Sequence, residues 1–458
     1  MTNDVQQPIV ILGGGPAGLA AAYYAHREGL PVLLIEKEDE AGGLCRTFEF
    51  QGHRYDSGAH RLHDRDPEIS RDLRALLGDR LHVVDRPSKI RLGRHFLDFP
   101  PTPASLLRSD QVFRLSKIAW ELLQGRVRRK RVVSFADLAV QRFGKTLASS
   151  FLLNYTSKVW GLPAEELSPA VATRRLSGMS LRTLLTDLFT GGKGANHLDG
   201  RFLYPEGGYG EITRALFHSL PPGSTRLGAE VTGLDLAAGR ITGVRIGDGR
   251  RLAVSSWVIS TLPVTALVRQ LGPEAVGEDA WRAAAALRFR DVRLIFLRLR
   301  LPRLSEYASI YIPDLRYRVS RVFEPKNRCE SMAPSHETGV GVEVPCFPDD
   351  EVGRVPDADL ADRVVDELSE VGLLRREDVI AWRHHRLANA YPVYALDFED
   401  QLAAVLAGLA RVDNLKLVGR NGVFRYGHLH DQMREAKRLI AELAAPAPAG
   451  AAPGGSHS

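Results

Sequence analysis

The chain has 458 residues, 44% apolar and 25% charged, the proportions of a soluble globular protein of two or three domains. Its three cysteines, Cys45, Cys329 and Cys346, are too few and too scattered for a disulfide framework or a metal site, which fits a reducing cytoplasm. The formal charge of +6 comes with no nucleic-acid-binding motif, so no nucleic-acid partner is expected, and it suits an anionic ligand if gathered at one site.

Met1–Gln7 is polar and contains Asp4, so no secretory signal is expected. No apolar run approaches the ~18 residues that span a bilayer. Pro8–Leu12 reads as a buried parallel strand, Ala17–Glu28 as an Ala-rich helix and Pro31–Glu36 as a second strand, together a βαβ unit. Residues from about 65 to 200 read as largely helical, clearest in Gln111–Leu123, and this stretch is a candidate homodimer surface. The basic run Arg126–Arg131 reads as a solvated loop between helices, with a phosphate or membrane contact as the alternative. Ile241–Ile246 and Arg251–Val254 flank Gly247-Asp248-Gly249, a hairpin signal, and Ser256–Thr261 is another buried strand. Val292–Leu299 and Gly339–Val344 read as sheet strands, and Asn414–Val418 as one more short strand. Leu429, Met433, Ala436, Ile440 and Leu443 share one face of a terminal helix. The Pro/Gly/Ala-rich tail 445–458 reads as disordered.

Gly13, Gly15 and Gly18 form G-x-G-x-x-G between the first strand and the first helix. Gly13 allows the tight turn, Gly15 lets the backbone approach a pyrophosphate, and Gly18 lets helix and strand pack closely. Glu36 ends the second strand near the expected spacing of about 20 residues, where its carboxylate accepts from ribose hydroxyls and disfavours a 2′-phosphate. Strand, helix and acid in register make this a strong dinucleotide signal.

Downstream, Glu36-Lys37 is followed by the pair Gly42-Gly43 and by Thr47. This resembles the E-x5-G-G-x-x-x-T of the amine oxidase, protoporphyrinogen oxidase and UDP-galactopyranose mutase superfamily of flavoproteins. The resemblance implies FAD, held by Gly13, Gly15, Gly18, Glu36, Lys37, Gly42 and Gly43. It adds the backbone of Val231 at the adenine end, and Gly419 and Arg420 where the last helix approaches the flavin. The fold it implies is α/β. A Rossmann-like FAD-binding domain (1–70, 200–265 and 385–444) carries a discontinuous α+β substrate domain, with a helical insertion (71–199) and a sheet part (266–384).

Five further stretches resemble UDP-galactopyranose mutases and related bacterial proteins. They are Gly58–His63 against G-x-H-x-F-H, Tyr155–Gly161 against Y-T-x-K-x-W-G, and Arg174-Arg175 at the spacing of a phosphate-binding arginine. Ser320–Lys326 resembles T-R-x-x-E-H-K, and Gly419–Asp431 resembles G-R-x-x-x-Y-R-Y-x-D-x-D. The resemblance implies catalytic roles for His60, His63 and Arg321, and substrate contacts from Trp160, Arg174, Arg321, Arg425 and Tyr426. On the residues alone, His60 is a flavin neighbour or a core imidazole, Trp160 stacks on a ligand or fills the core, and Cys45 is packing. Arg174, Arg321, Arg420 and Arg425 are expected to converge on an anionic substrate, because guanidinium binds phosphate or carboxylate bidentately.

Leu62 in place of Phe, and Gly427–His430 in place of the aromatic-acidic stretch, depart from the mutase pattern. The expected function is therefore a FAD-dependent oxidoreductase acting by hydride transfer on a small anionic, nucleotide-sugar-like substrate. The alternative is a non-redox ring contraction in which reduced flavin N5 is the nucleophile.

Overall fold

A computed structural model describes residues 7–99, 117, 120, 121, 131–175 and 201–445, the side chains of 173–175 apart. Most of the expected Gln111–Leu123 helix and basic run Arg126–Arg131, and the tail beyond 445, lie outside the described residues.

Strand β1 (Ile9–Leu12), helix α1 (Pro16–Arg27) and strand β2 (Val32–Ile35) form the expected βαβ unit, with Ile9 beside Val32 in parallel register. The sheet they begin has five parallel strands in the order Leu415–Leu417, Val258–Ser260, β1, β2, Thr225–Arg226. Every residue of β1 is buried, as expected for a central strand of a parallel sheet covered on both faces. The run Ala20–Ala22 and Ala25 in α1 presents small side chains, and Met433, Ala436 and Ile440 of the closing helix Leu429–Ala444 join the same core. The Asp-Gly signal is also realised: Arg240–Ile246 and Arg251–Ala253 pair antiparallel, next to Val231–Ala237.

A second sheet has seven strands in the order Val379–Pro392, Phe289–Leu299, Thr338–Cys346, Arg321–Phe323, Ser309–Tyr311, Ser88–Leu92, His95–Phe99. Alternate glycines in Thr338–Cys346 make room for rings. A Cβ on Gly339 would lie 2.1 Å from the Phe296 ring, and one on Gly341 2.2 Å from that of Phe323. One face is covered by the helix Asp357–Glu370 through Leu360, Val364 and Leu368. The other carries Leu294, Phe296 and Phe323 against Tyr55 of the hairpin Thr47–Phe50/His53–Asp56. This second face looks towards the dinucleotide-binding half and positions the site. Among the described residues no helix is long and apolar enough to cross a membrane.

Two expectations change. The stretch after residue 71 is not all helix: Leu81–Asp85 pairs with Arg201–Pro205, and Ser88–Leu92 with His95–Phe99 extends the seven-stranded sheet. In Ser88–Leu92 the side chains of Lys89 and Arg91 alternate with buried Ser88 and Ile90, and Gly93 with φ +58 turns the chain. Five residues with two cations are too short a period-2 signal to stand out. The strand Val379–Pro392 also runs through residue 385, where the sequence pattern suggests a return to the dinucleotide domain.

The stretch Glu324-Pro325-Lys326 of the Ser320–Lys326 motif is scaffold. Glu324 accepts from Leu304 and Ser305 N–H at 3.0 and 2.9 Å and from the Thr338 hydroxyl at 2.6 Å. The Lys326 ammonium donates to the carbonyls of Pro302, Pro334, Ser335 and Glu337 at 2.7 to 3.0 Å. Lys326→Met keeps the aliphatic stem but leaves those carbonyls without their donor. It is expected to lower unfolding free energy by about 3 kcal/mol or more, read as a fall in the urea midpoint. An unchanged midpoint would show that water replaces the ammonium.

Candidate active site

The nucleotide end is built from two glycine turns packed on each other. Gly13, with φ +99, ends β1 and donates to the Ile35 carbonyl at 2.8 Å. A Cβ on Gly18 would come 1.9 Å from the Gly13 oxygen, so only glycine lets α1 start this close to the strand. Gly15 is the N-cap of α1, Pro16 follows, and no side chain caps the first turn. Its N–H groups and dipole therefore face outwards as an anion site. Gly42 donates to the Gly14 carbonyl at 2.8 Å, and a Cβ on Gly43 would lie 2.9 Å from the Gly15 Cα.

Glu36 accepts from Gly14 N–H at 2.6 Å and from Glu38 N–H at 3.0 Å, while Lys37 is exposed beside Glu38. The Val231 carbonyl accepts from the Gln270 amide at 2.7 Å. Gly419, with φ +86, lies across the first turn of α1, where a Cβ would meet that of Ala17 at 2.7 Å. Sequence reasoning passed over Arg46. It follows the second glycine pair, touches Gly42, and has a buried Nε with no hydrogen-bond partner.

The other end is the loop Gly58–Leu62, which rests on the inner face of the seven-stranded sheet. Ala59 N–H donates to Glu343 Oε1 at 2.9 Å. The His60 carbonyl accepts from Arg328 Nη1 at 3.0 Å, and Arg61 donates to the Ser88 hydroxyl. Glu343 is held bidentately by Arg321, at 3.0 Å from Nε and 2.6 to 2.7 Å from Nη2. Burial works against the Arg321 charge, but Glu343 outweighs it and holds its pKa well above the ordinary value. Arg328 faces Asp56 at 3.9 Å, with neither side chain reaching solvent.

His60 stacks on the Tyr209 ring at 4.8 Å and stands 3.4 Å from the Ser57 hydroxyl. Burial, and then the guanidinia of Arg420, Arg321 and Arg328, push its pKa down to about 3. His63 meets His428 edge-on at 5.9 Å, and His428 stacks on His430 at 5.6 Å. Burial again leads, pushing His63 down to about 3 and His428 to about 4. All three imidazoles are neutral at physiological pH.

Arg321 and Arg420 thus lie within electrostatic reach of His60. Arg420 donates to the Ala390 and Gly427 carbonyls, each at 3.0 Å, and lies 4.6 Å from the Tyr426 ring, which stacks on Tyr391. Arg425 does not join them. It pairs with Glu435 of the closing helix and is about half exposed, because Phe424 with φ +48 turns the chain just before it. Trp160 fills the core rather than offering a stacking face, being 1% exposed. The Arg174 side chain lies outside the described residues. Cys45 is buried, and burial pushes its thiol up to about 12, which suits packing. Lys158 of the Tyr155–Gly161 motif donates to the carbonyls of Ile312, Asp314 and Val319 at 2.5 to 3.0 Å, clamping that loop. Glu343, Arg328 and Asp56 were missed in sequence. For Glu343 a signal was there, a single charge inside the apolar run Gly339–Val344.

The sequence model of the family described as flavin containing amine oxidoreductase matches residues 16–424. Among solved structures, reduced UDP-galactopyranose mutase is similar at a TM-score of 0.83 and 22% identity over 95% of each chain. A protein of Exiguobacterium sp. 255-15 assigned to protoporphyrinogen oxidase is similar at 0.76 and 19% identity, over 96% of this chain and 98% of its own. At these identities the likeness is one of fold. Phytoene desaturase (lycopene-forming) of Pantoea ananas is 37% identical over 75 residues, which is 16% of this chain and only 15% of that relative's length.

The residues present fit the diphosphate of a bound FAD. The uncapped α1 terminus, the glycine contact at Gly15 and Gly43, and the buried unpartnered Nε of Arg46 are donors and clearance for an anion.

Gly18→Ala is expected to lower the flavin-to-protein ratio of purified material by about tenfold or more, since the strand–helix contact must open; a normal yellow protein would count against this role. Stability is also expected to depend on pH. His60, His63 and His428 titrate near 6.5 when unfolded but at about 3 to 4 when folded, so the unfolded chain binds more protons in between. Stability is complete above pH ~6.5 and falls as pH drops below it, by up to about 1.4 kcal/mol per pH unit for each imidazole. Urea midpoints between pH ~5 and ~7.5 read this, and His428→Gln should make the profile shallower.

Proposed function

The chain is a FAD-dependent oxidoreductase belonging to the flavin containing amine oxidoreductase family, and from that premise we propose that its substrate is a small anionic molecule dehydrogenated by hydride transfer. The observation that carries this reading is the charge balance around His60. Arg321, Arg328 and Arg420 all act on that imidazole, against the two carboxylates Glu343 and Asp56. An enclosed excess of guanidinium favours an anion and disfavours a cation such as a protonated polyamine.

The acid–base groups support hydride chemistry over proton chemistry. Asp56 accepts from the Tyr204 hydroxyl, the Thr47 hydroxyl and the Tyr209 N–H at 2.6 to 2.9 Å. Glu343 is similarly engaged by Arg321 and Ala59. His60 and His63 are too weakly basic to hold a proton at neutral pH. Among the described residues these groups position and desolvate a substrate, while bound FAD supplies the two-electron acceptor. Tyr391 and Tyr426 wall one side with parallel rings at 6.1 Å, and neutral His60 offers a hydrogen bond without a charge.

A second reading, flavin-dependent ring contraction of a nucleotide sugar, is supported by the fold likeness to UDP-galactopyranose mutase. Against it stand His428, which burial holds neutral, and His430 stacked on it, in the motif whose resemblance to the mutases implies an aromatic-acidic stretch.

Anaerobic mixing of the yellow protein with small acidic amines, hydroxy acids and sugar acids is expected to bleach the flavin with one of them, with colour and peroxide returning in air. Conversion of UDP-galactose to its furanose form only after dithionite, with no bleaching by any acid, would establish the second reading instead.

A further inference from the structure

The chemistry above leaves Arg61 unused. It occupies the variable position of the G-x-H-x-F-H stretch. Its guanidinium donates to the Ser88 hydroxyl and lies 5.1 Å from the Phe202 ring centroid. The two guanidinia beside it each have a carboxylate, Glu343 for Arg321 and Asp56 for Arg328. Among the described residues no carboxylate pairs with Arg61. A partly buried cation among like charges, without a counter-ion, is an unfavourable arrangement that a bound anion relieves.

Strand register puts the relevant groups on one side of the sheet. Ser88 lies opposite Ser309, Tyr311 opposite both Ile90 and Arg321, and Arg321 opposite Glu343. Residues two apart in a strand share a face, so Ser88, Tyr311, Arg321 and Glu343 all point towards the Gly58–Leu62 loop. The Tyr311 ring centroid is 6.0 Å from the Arg321 guanidinium, with Tyr155 edge-on to that ring at 5.4 Å. Arg328 has no exposed surface and braces the His60 carbonyl, whereas Arg321 keeps 15% exposure and Arg61 is partly exposed. Burial, and the like charges of Arg328 and Arg321, weigh against the Arg61 charge, with Tyr311 acting the other way.

We propose that Arg61 and Arg321 form a two-guanidinium seat for an oxyanion on the substrate, a carboxylate or a phosphoryl group, with Tyr311 as its side wall. Arg321 is already held by Glu343, so Arg61 brings the unneutralised charge and sets the preference for an acidic substrate. The proposal rests on the reading of the substrate as a small anion.

The test uses the FAD-loaded protein and three probes that share one ring: benzoate, phenyl phosphate and neutral benzamide, each titrated against the flavin absorption spectrum. One of the two anions is expected to bind at least about tenfold more tightly than benzamide, and which one does so tells carboxylate from phosphoryl. Arg61→Gln should weaken that anion by about tenfold to a hundredfold, leaving flavin content and benzamide binding unchanged, and Arg61→Lys should recover part of the loss. Ser88→Ala, which removes the hydrogen bond but keeps the charge, should still bind the anion, and it covers the case in which Arg61→Gln does not fold. If Arg61→Gln binds the anion like the parent protein, or Ser88→Ala loses it as fully as the charge removal would, Arg61 is a strut for the loop and the proposal is overturned. If the parent protein binds neither anion, the small-anion reading falls with it; binding that ignores Arg61 overturns this proposal alone.

Discussion

Burying a lone carboxylate costs several kcal/mol unless donors surround it, and Asp56 is surrounded from four directions. The Thr47 and Tyr204 hydroxyls, the Tyr209 N–H and the Arg328 guanidinium all converge on its two oxygens. These groups come from four parts of the chain: the hairpin strand opposite Asp56 itself, the strand Arg201–Pro205, the loop leading into the next helix, and the segment after Arg321–Phe323. Arg328 in turn holds the His60 carbonyl. One buried charge therefore ties the half that contains the βαβ unit to the seven-stranded sheet. Thr47 shows how tight the tie is. Its hydroxyl also accepts from Gly210 N–H at 2.8 Å, and a Cβ on Gly208 would lie 2.4 Å from it.

Glu343 repeats the device one layer away. It sits on a strand whose residues are all buried, and is tolerated because Arg321 and the Ala59 N–H saturate it. The two anchored carboxylates fix two consecutive residues of one loop, Ala59 through Glu343 and His60 through Arg328, and the Ser88 hydroxyl holds Arg61 beside them. That loop has no helix or strand of its own to hold it. Its geometry is set by charge pairs in a region of low dielectric, where each hydrogen bond counts for more than it would in water.

What was legible in the sequence follows from the range of each signal. The βαβ unit, the Asp-Gly hairpin and the amphipathic closing helix depend on neighbours within a few residues, and they stand where the pattern put them. Ser88–Leu92 was obscured although its hairpin partner His95–Phe99 is local, because two of its five residues are cations and the period-2 signal is too short to stand out. The site was legible where a motif demands glycine and illegible where long-range pairing decides. Nothing local to Arg425 reveals that Glu435 will take it, and nothing local to Trp160 reveals that its ring will be enclosed. Arg328 needs Asp56, and Asp56 needs strands that meet only in three dimensions.

The histidines carry the last step. A charged imidazole in this neighbourhood would add to an existing excess of guanidinium, and burial makes that costly, so His60, His63 and His428 are all held neutral. Where the mutase-like motif has acids, this chain has His428 and His430, which contribute no negative charge to offset Arg420 close by. Replacing an acid by a neutral ring raises the local potential as surely as adding a cation does. The net +6 of the whole chain is small, yet its arrangement here is one-sided: anchored acids on the sheet, neutral rings at the helix end, and guanidinia between them. On a scaffold shared in fold with enzymes of different reactions, the potential around one loop is in this way set by which side chains bear charge there, without moving a strand.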